Sequence, residues 1–284
     1  MRFVVTGGSG KGGRWVVKDL RANGHDVLNA DLVRDESEHG QTVQADLTDL
    51  GQCHDILAGA DAVVHFAAIP APELRPEGDT FRINAVSTYN VFQAAVRRPV
   101  GRVVWASSET VLGLPFDRPP DFAPIDESIT PRPETSYALS KLVGETIAAQ
   151  LARQTGVPFV GLRISNIMEP SDYARFPGFQ ADARLRKWNL WGYVDARDVA
   201  AAVRGALEAD TIGAEVCIVA AADTVMERDS ADLMAEVFPD VPLRRELKGR
   251  ETLLAIGRAR DLLGYRPAHA WQDELATAVA GAPR

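Results

Sequence analysis

Arg2-Phe3-Val4-Val5-Thr6-Gly7-Gly8-Ser9-Gly10-Lys11-Gly12-Gly13 is the stretch whose reading decides the architecture. A short apolar run, then glycines at 7, 10 and 13, then the amphipathic run Arg14 to Ala22 reads as strand, tight turn and helix. One glycine permits the turn, one lets the backbone approach a pyrophosphate, and one allows close helix–sheet packing. The helix N-terminus then offers free N–H groups and a partial positive charge to phosphates. A glycine triplet alone reads equally well as a flexible turn, so context decides.

Asp31 supplies that context. It ends the second strand candidate, Asp26 to Ala30, and stands 18 residues after Gly13. A carboxylate about 20 residues on is placed to hold the adenosine ribose hydroxyls of a dinucleotide. Its charge repels a 2′-phosphate, which favours NAD over NADP, although Lys11 and Arg34 are cations that an added phosphate would attract. Asp46, after a third strand from Thr42 to Ala45, is placed either for the adenine amino group or as a solvated strand end. The turn is not a phosphate-binding Walker loop, because no Ser or Thr follows Lys11. Nor is it a nucleophile elbow, since Lys11 stands where the last glycine belongs.

Further along, Asp61 to Phe66, Arg102 to Ala106 and Val157 to Ile164 read as strands, with helical spacing over Phe81 to Arg97 and Ser136 to Thr155. Strands separated by helix-length runs imply right-handed crossovers and a parallel sheet covered on both faces. The expected fold is α/β, a doubly wound parallel sheet. Residues 1–165 would form a dinucleotide-binding core carrying the catalytic groups. Residues 166–284 would be mixed, a small substrate-binding lobe plus elements returning to the core. Six prolines between Gly113 and Thr135 forbid a helix or central strand and mark a long surface loop bordering the site. Segment 171–192 is irregular and rich in aromatic and basic residues.

Composition excludes several classes. The chain has 284 residues with 31 basic against 39 acidic side chains, a net charge of −8, which argues against a nucleic-acid partner. Cys53 and Cys217 have no paired spacing, and the five histidines form no close ligand pair, so no metal is expected. No apolar run approaches the roughly 20 residues that span a bilayer, and no signal peptide is visible. A cytoplasmic protein without membrane contact is the expectation.

Tyr137-Ala138-Leu139-Ser140-Lys141 places a phenol and an ammonium one helical turn apart on one face. A nearby ammonium stabilises phenolate, which lowers the tyrosine's pKa from about 10 toward neutrality and makes it a usable acid or base. Ser107-Ser108 caps the fifth strand at the carboxyl edge, where open sheets bind ligands. Ser108 is positioned to bond the same substrate oxygen, or else serves as a plain cap.

With these residues in place, the chain resembles the extended short-chain dehydrogenase/reductase family, the NAD-dependent epimerase/dehydratase group. The matches are Thr6-Gly7-x-x-Gly10-x-x-Gly13, Asp46-Leu47, His65-Phe66-Ala67-Ala68, Asn84 with Asn90, Ser107-Ser108, Tyr137-x-x-x-Lys141, Arg163-x-x-Asn166 and Asp195-x-x-Asp198-Val199. The resemblance implies Ser108, Tyr137 and Lys141 as the catalytic triad, with Lys141 also on the nicotinamide ribose. Around NAD it implies Gly7, Gly10, Lys11, Gly13, Asp31 and Asp46, with Leu47, Phe66, Ala67, Ala68, Asn84 and the Tyr137–Lys141 pair. It also implies a homodimer paired through the helices that contain Tyr137 and its neighbour.

Departures from the family pattern narrow the expected activity. Glu109-Thr110 follows Ser108 where a sugar dehydratase would have Asp-Glu, which disfavours dehydration. Only 28 residues separate Asn166 from Asp195, little chain for cradling a nucleotide diphosphate. The chain is therefore most similar to the uronate dehydrogenase branch, which oxidises free sugar acids. Arg175 lies where that branch has a carboxylate-binding arginine, and a guanidinium suits a carboxylate bidentately. Its bland reading is a solvated loop arginine. Asn166, Ser108 and Glu109 would line the sugar pocket, although Glu109 would repel an anionic substrate. Trp188 and Trp191 would stack on a sugar ring or pack their own loop.

Three functions follow as expectations. The first is NAD-dependent oxidation of a free sugar or sugar acid, the second a UDP-sugar 4-epimerase using the same residues. The third, a dinucleotide-sensing regulator, is disfavoured by the intact Ser108, Tyr137 and Lys141 set.

Overall fold

A computed structural model describes residues 1–33 and 42–280. The strands are β1 (Arg2–Thr6), β2 (Asp26–Asp31), β3 (Thr42–Gln44), β4 (Ala62–His65), β5 (Arg102–Ser108), β6 (Phe159–Ile164), β7 (Ile167–Met168), β8 (Val194–Asp195) and β9 (Ala214–Val219). The helices are α1 (Gly13–Ala22), α2 (Leu50–Ile56), α3 (Glu77–Val96), α4 (Ser136–Thr155), α5 (Ala196–Glu208), α6 (Ser230–Val237), α7 (Gly257–Leu263) and α8 (Trp271–Ala280). Seven strands form a parallel sheet in the order β3-β2-β1-β4-β5-β6-β9, and β7 pairs with β8 in a small second sheet. The order reverses between β1 and β4, so a crevice opens at their carboxyl ends. Register sets that edge level, with Thr6 opposite both Ala30 and His65.

Alternation along β1 divides the core. Phe3 and Val5 join Val16, Val17 and Leu20 of α1 in one apolar layer, while Val4 joins Val91, Phe92 and Trp105 in the other. On that second face Phe92, Trp105 and Phe159 meet edge to face, with centroids 5.0–6.1 Å apart. Gly161 makes room for the indole, since a Cβ there would lie 2.4 Å from the Trp105 ring. On the first face α5 packs on α1, and Arg204 pairs with Asp19 at 3.0 Å. Thus α5 and β9, both after residue 165, belong to the sheet and its cover.

Two expectations need correction. The proline-rich segment is not a surface loop: Leu114, Phe116, Phe122, Ala123, Ile125 and Ile129 are buried within it. It is strapped to the later chain by Ala123–Leu243 and Ile125–Leu254 bridges, which satisfy backbone groups that proline-broken structure leaves unpaired. Ser107 and Ser108 do not follow β5 but are its last two residues, and Ser108 caps the short 3-10 turn Glu109–Leu112 by accepting from Thr110 N. The helix α2 has too little apolar periodicity to be legible; Asp49 starts it by accepting a bond from Gln52 N. The irregular segment folds as two 3-10 helices, Pro170–Phe179 and Ala183–Asn189.

Candidate active site

A cleft of about 1060 Å³ runs along the carboxyl edge of the sheet, at the upper end of the roughly 300–1,000 Å³ typical of small-molecule pockets. Gly7, Gly10, Gly13, Asp31, Asp46, Leu47, Phe66, Ala67 and Ala68 line one end, and Ser108, Glu109, Tyr137, Lys141 and Asn166 line the other. The glycines are required by space. Gly7 has φ +71°, and a Cβ on it would lie 2.4 Å from Ala67 N. A Cβ on Gly13 would lie 2.1 Å from Gly7 O. The turn packs this tightly against the start of α1, whose first residues lack any side-chain cap. Uncapped N–H groups at a glycine turn fit a pyrophosphate.

Asp31 accepts bonds from Ser9 N at 3.1 Å and Val33 N at 3.2 Å. Two backbone donors hold the carboxylate at the cleft wall, which fits a ribose diol and opposes a 2′-phosphate. Asp46 Oδ1 accepts from both Thr48 N and Thr48 Oγ1, which hold the carboxyl below its usual range. Lys11 lines the cleft and forms an ion pair with Asp172 of the first 3-10 helix, which offsets part of the charge an added phosphate would meet. Arg34 lies outside the described residues.

Asn84 also departs from its expected role on the cofactor. It is 2% exposed and absent from the cleft wall. Its Oδ1 accepts from Ile69 N at 2.7 Å, and Nδ2 donates to Ile69 O and Ser140 Oγ. An α3 side chain therefore pins the loop after β4, because that loop's backbone has no strand partner there.

Tyr137 and Lys141 stand in the first two turns of α4, whose cap, Thr135 Oγ1, accepts from Ala138 N at 3.1 Å. Lys141 Nζ donates to Ala106 O at 2.8 Å and lies 5.6 Å from the Tyr137 ring centroid. Ser108 Oγ accepts from Thr110 N and Thr110 Oγ1, which leaves its own proton for the Tyr137 oxygen. The expected lowering of the tyrosine pKa is reversed. Burial, with Glu109 adding to it, pushes Tyr137 up to about 12 against the pull of Ser108, while burial draws Lys141 down to about 8. Desolvation opposes both charges, and at Tyr137 it outweighs the help of the Ser108 hydrogen bond.

At the same end of the cleft Glu109 is 3% exposed. Its Oε2 accepts from Ser165 Oγ at 2.6 Å and Oε1 from Asn189 Nδ2 at 3.2 Å. Burial pushes its carboxyl up to about 7 against those bonds and the nearby Arg186 charge. Arg175 does not face the main cleft. It lines an adjoining recess of about 400 Å³ with Lys11, Asn166, Arg186 and Trp188. Of the two tryptophans, Trp188 lines both spaces, whereas Trp191 is fully buried against Phe238 and donates to Ala183 O. Thr110, Ser165, Asn189 and Arg186 were not among the expected site residues. Only the basic run Arg184 to Lys187 hinted at one of them. No described helix is long and apolar enough to cross a membrane.

The NAD dependent epimerase/dehydratase family matches residues 3–219. L-arabinose 1-dehydrogenase (NAD(P)(+)) of Haloferax volcanii is 33% identical over 171 residues, 57% of this chain and 66% of the relative. Uronate dehydrogenase of Pseudomonas syringae pv. tomato is 29% identical over 175 residues, 60% of this chain and 62% of the relative. The chain thus matches less than two thirds of the length of either. A short-chain dehydrogenase/reductase superfamily protein from Agrobacterium tumefaciens, crystallised with bound NAD, has a TM-score of 0.78 at 23% identity over 99% of this chain and 96% of that one. Uronate dehydrogenase from Agrobacterium tumefaciens has a TM-score of 0.69 at 20% identity over 100% and 90%. At these identities the structural likeness is one of fold.

Proposed function

The chain belongs to the NAD dependent epimerase/dehydratase family, and from that premise we propose that it is an NAD-dependent dehydrogenase oxidising a hydroxyl of a free sugar or sugar acid. One observation carries the reading. A single cleft has Asp31 and the glycine turn at one end and Ser108, Tyr137 and Lys141 at the other. The matches to arabinose and uronate dehydrogenases support it.

NAD bound along this cleft would supply the hydride acceptor and the positive charge of its ring. Tyr137 as phenolate would take the proton of the substrate hydroxyl. Ser108, its lone pairs occupied by Thr110, donates to the same oxygen and holds it in place. Lys141, fixed by Ala106 O, supplies the positive charge that favours phenolate. Glycine backbone N–H groups bind the pyrophosphate, and Asp31 selects NAD by repelling a 2′-phosphate.

Two further features complete the proposal. Exposed Val86, Tyr89 and Leu139 on α3 and α4 support a homodimer through those helices. The buried free thiols Cys53 and Cys217 suit a reducing cytoplasm. The test is NADH formation by the purified protein with free aldoses, free uronic acids and UDP-sugars. Reduction with a free sugar or uronate is expected. Interconversion of a UDP-sugar without net NADH would overturn the reading in favour of an epimerase.

A further inference from the structure

Arg186 is a buried cation with incomplete hydrogen bonding beside the cleft. It is 6% exposed and lies over the rings of Phe179 and Trp188, 5.2 and 4.9 Å from their centroids. Its Nη2 donates to Gly192 O at 3.1 Å, while the buried Nε has no partner among the described residues. It lines the recess with Arg175, whose charge acts on Asp172 of the same wall without an ion-pair contact among the described residues. Lys11, on the same wall, is offset by Asp172. The recess wall thus carries three cations, Lys11, Arg175 and Arg186, against one carboxylate, Asp172, in a chain of net charge −8.

The compensating charge for Arg186 is Glu109, on the cleft side. The two are not in ion-pair contact, yet each shifts the other's titration toward the charged form. Arg186 and Asn189 face Glu109 from the second 3-10 helix, Ser165 and the Asn166 N–H from the end of β6, and Tyr137 from α4. Because no contact holds the pair together, an anion can enter on the recess side without breaking one. It would then be the nearer partner of Arg186. Glu109 would be left as a buried carboxylate beside a second negative charge, the situation that drives a carboxylate to take a proton. With its carboxyl already up at about 7, that step needs only a modest push near neutrality.

We propose that Arg186 reads an anionic group on the substrate and that Glu109 is its displaceable counter-charge, so that an anionic sugar binds with uptake of one proton by Glu109. This rests on the dehydrogenase reading for the identity of the substrate as a sugar. It reconciles a carboxylate in the sugar pocket with a cationic recess beside it. Neutral sugars bind without the proton.

Calorimetric titration of the NADH complex at pH 8, in buffers of different ionisation enthalpy, tests this without turnover. D-glucuronate and D-galacturonate should bind with uptake of about one proton, and D-glucose and D-galactose with none. Uronate affinity should fall up to about tenfold per pH unit above pH 7. Glu109→Gln should abolish proton uptake and flatten that dependence. Arg186→Met should weaken uronate binding at least tenfold and spare neutral sugars. Should either variant fold poorly, Ser165→Ala serves instead: loss of one bond to the anion should move the pH midpoint upward. Uronate binding without proton uptake, or an unchanged pH dependence in Glu109→Gln or Ser165→Ala, would overturn the proposal. So would failure of uronates to bind. If neutral sugars still reduced NAD in that case, the dehydrogenase reading would stand. Uronate binding with the expected proton but no NADH formation from any sugar would overturn that reading alone.

Discussion

Lys11 Nζ and the Asp172 carboxylate join the glycine turn to the first 3-10 helix of the smaller lobe. Glu169 reinforces the junction by accepting from Arg14 Nε at 2.9 Å and Trp15 Nε1 at 2.7 Å. The glycine turn is thereby tied to the smaller lobe, and its one lysine is paired with a carboxylate.

Cofactor choice should therefore depend on Asp31 and not on Lys11. Asp31→Ser should lower kcat/KM with NAD about tenfold or more and raise the relative use of NADP, since about 1.4 kcal/mol corresponds to tenfold. Lys11→Ala should leave the NAD-to-NADP ratio within about twofold. Initial rates with both cofactors provide the check.

Tyr137→Phe should lower kcat by about 10²–10⁴-fold, the usual range for a lost general base, while NADH still binds in fluorescence titrations. The pH profile follows from the pair. The proposed reaction needs Tyr137 phenolate with Lys141 ammonium, a form one proton short of the fully protonated pair. That pair loses its first proton near pH 8, the value to which burial lowers Lys141. With a neutral sugar, log kcat/KM should climb with unit slope to about pH 8 and then level. A decline between pH 6 and 8 would contradict it.

Glu109 should reduce stability above neutrality. Its folded-state pKa, about 7, lies above the ordinary 4.5, so the native protein holds the proton more tightly than the unfolded chain. Stability then falls as pH rises from about 4.5 to 7, and the loss is complete above that. At 1.36 kcal/mol per pKa unit the full effect is on the order of 3 kcal/mol. Glu109→Gln should raise Tm at pH 8 relative to the native protein and do so far less at pH 5.

Asn84→Ala should cost about 1–3 kcal/mol, because it removes the bonds that the buried amide makes to the half-buried Ile69 N–H and C=O. Asn84→Asp should not rescue it, since a carboxylate cannot donate to Ile69 O. Denaturant unfolding measures both.

Much of the cofactor half was legible because local spacing alone dictates it. The turn at Gly7, Gly10 and Gly13 and the helix Ser136–Thr155 follow from contiguous residues, as does the four-residue offset of Tyr137 and Lys141. The substrate half was not. Glu109 meets Ser165 and Asn189 across separations of 56 and 80 residues, which no periodicity encodes. Arg175 was placed by resemblance alone, and the fold turns it into the recess instead of the cleft.

The same division applies to the chemistry. Alternating apolar runs and glycine geometry, read residue by residue, were sufficient for a parallel sheet with a dinucleotide crevice, because those constraints act within one turn of chain. Charge states came from packing. Tyr137 sits high, Lys141 low and Glu109 near 7, since the cost of a charge depends on how much water the folded chain removes and which partners it supplies.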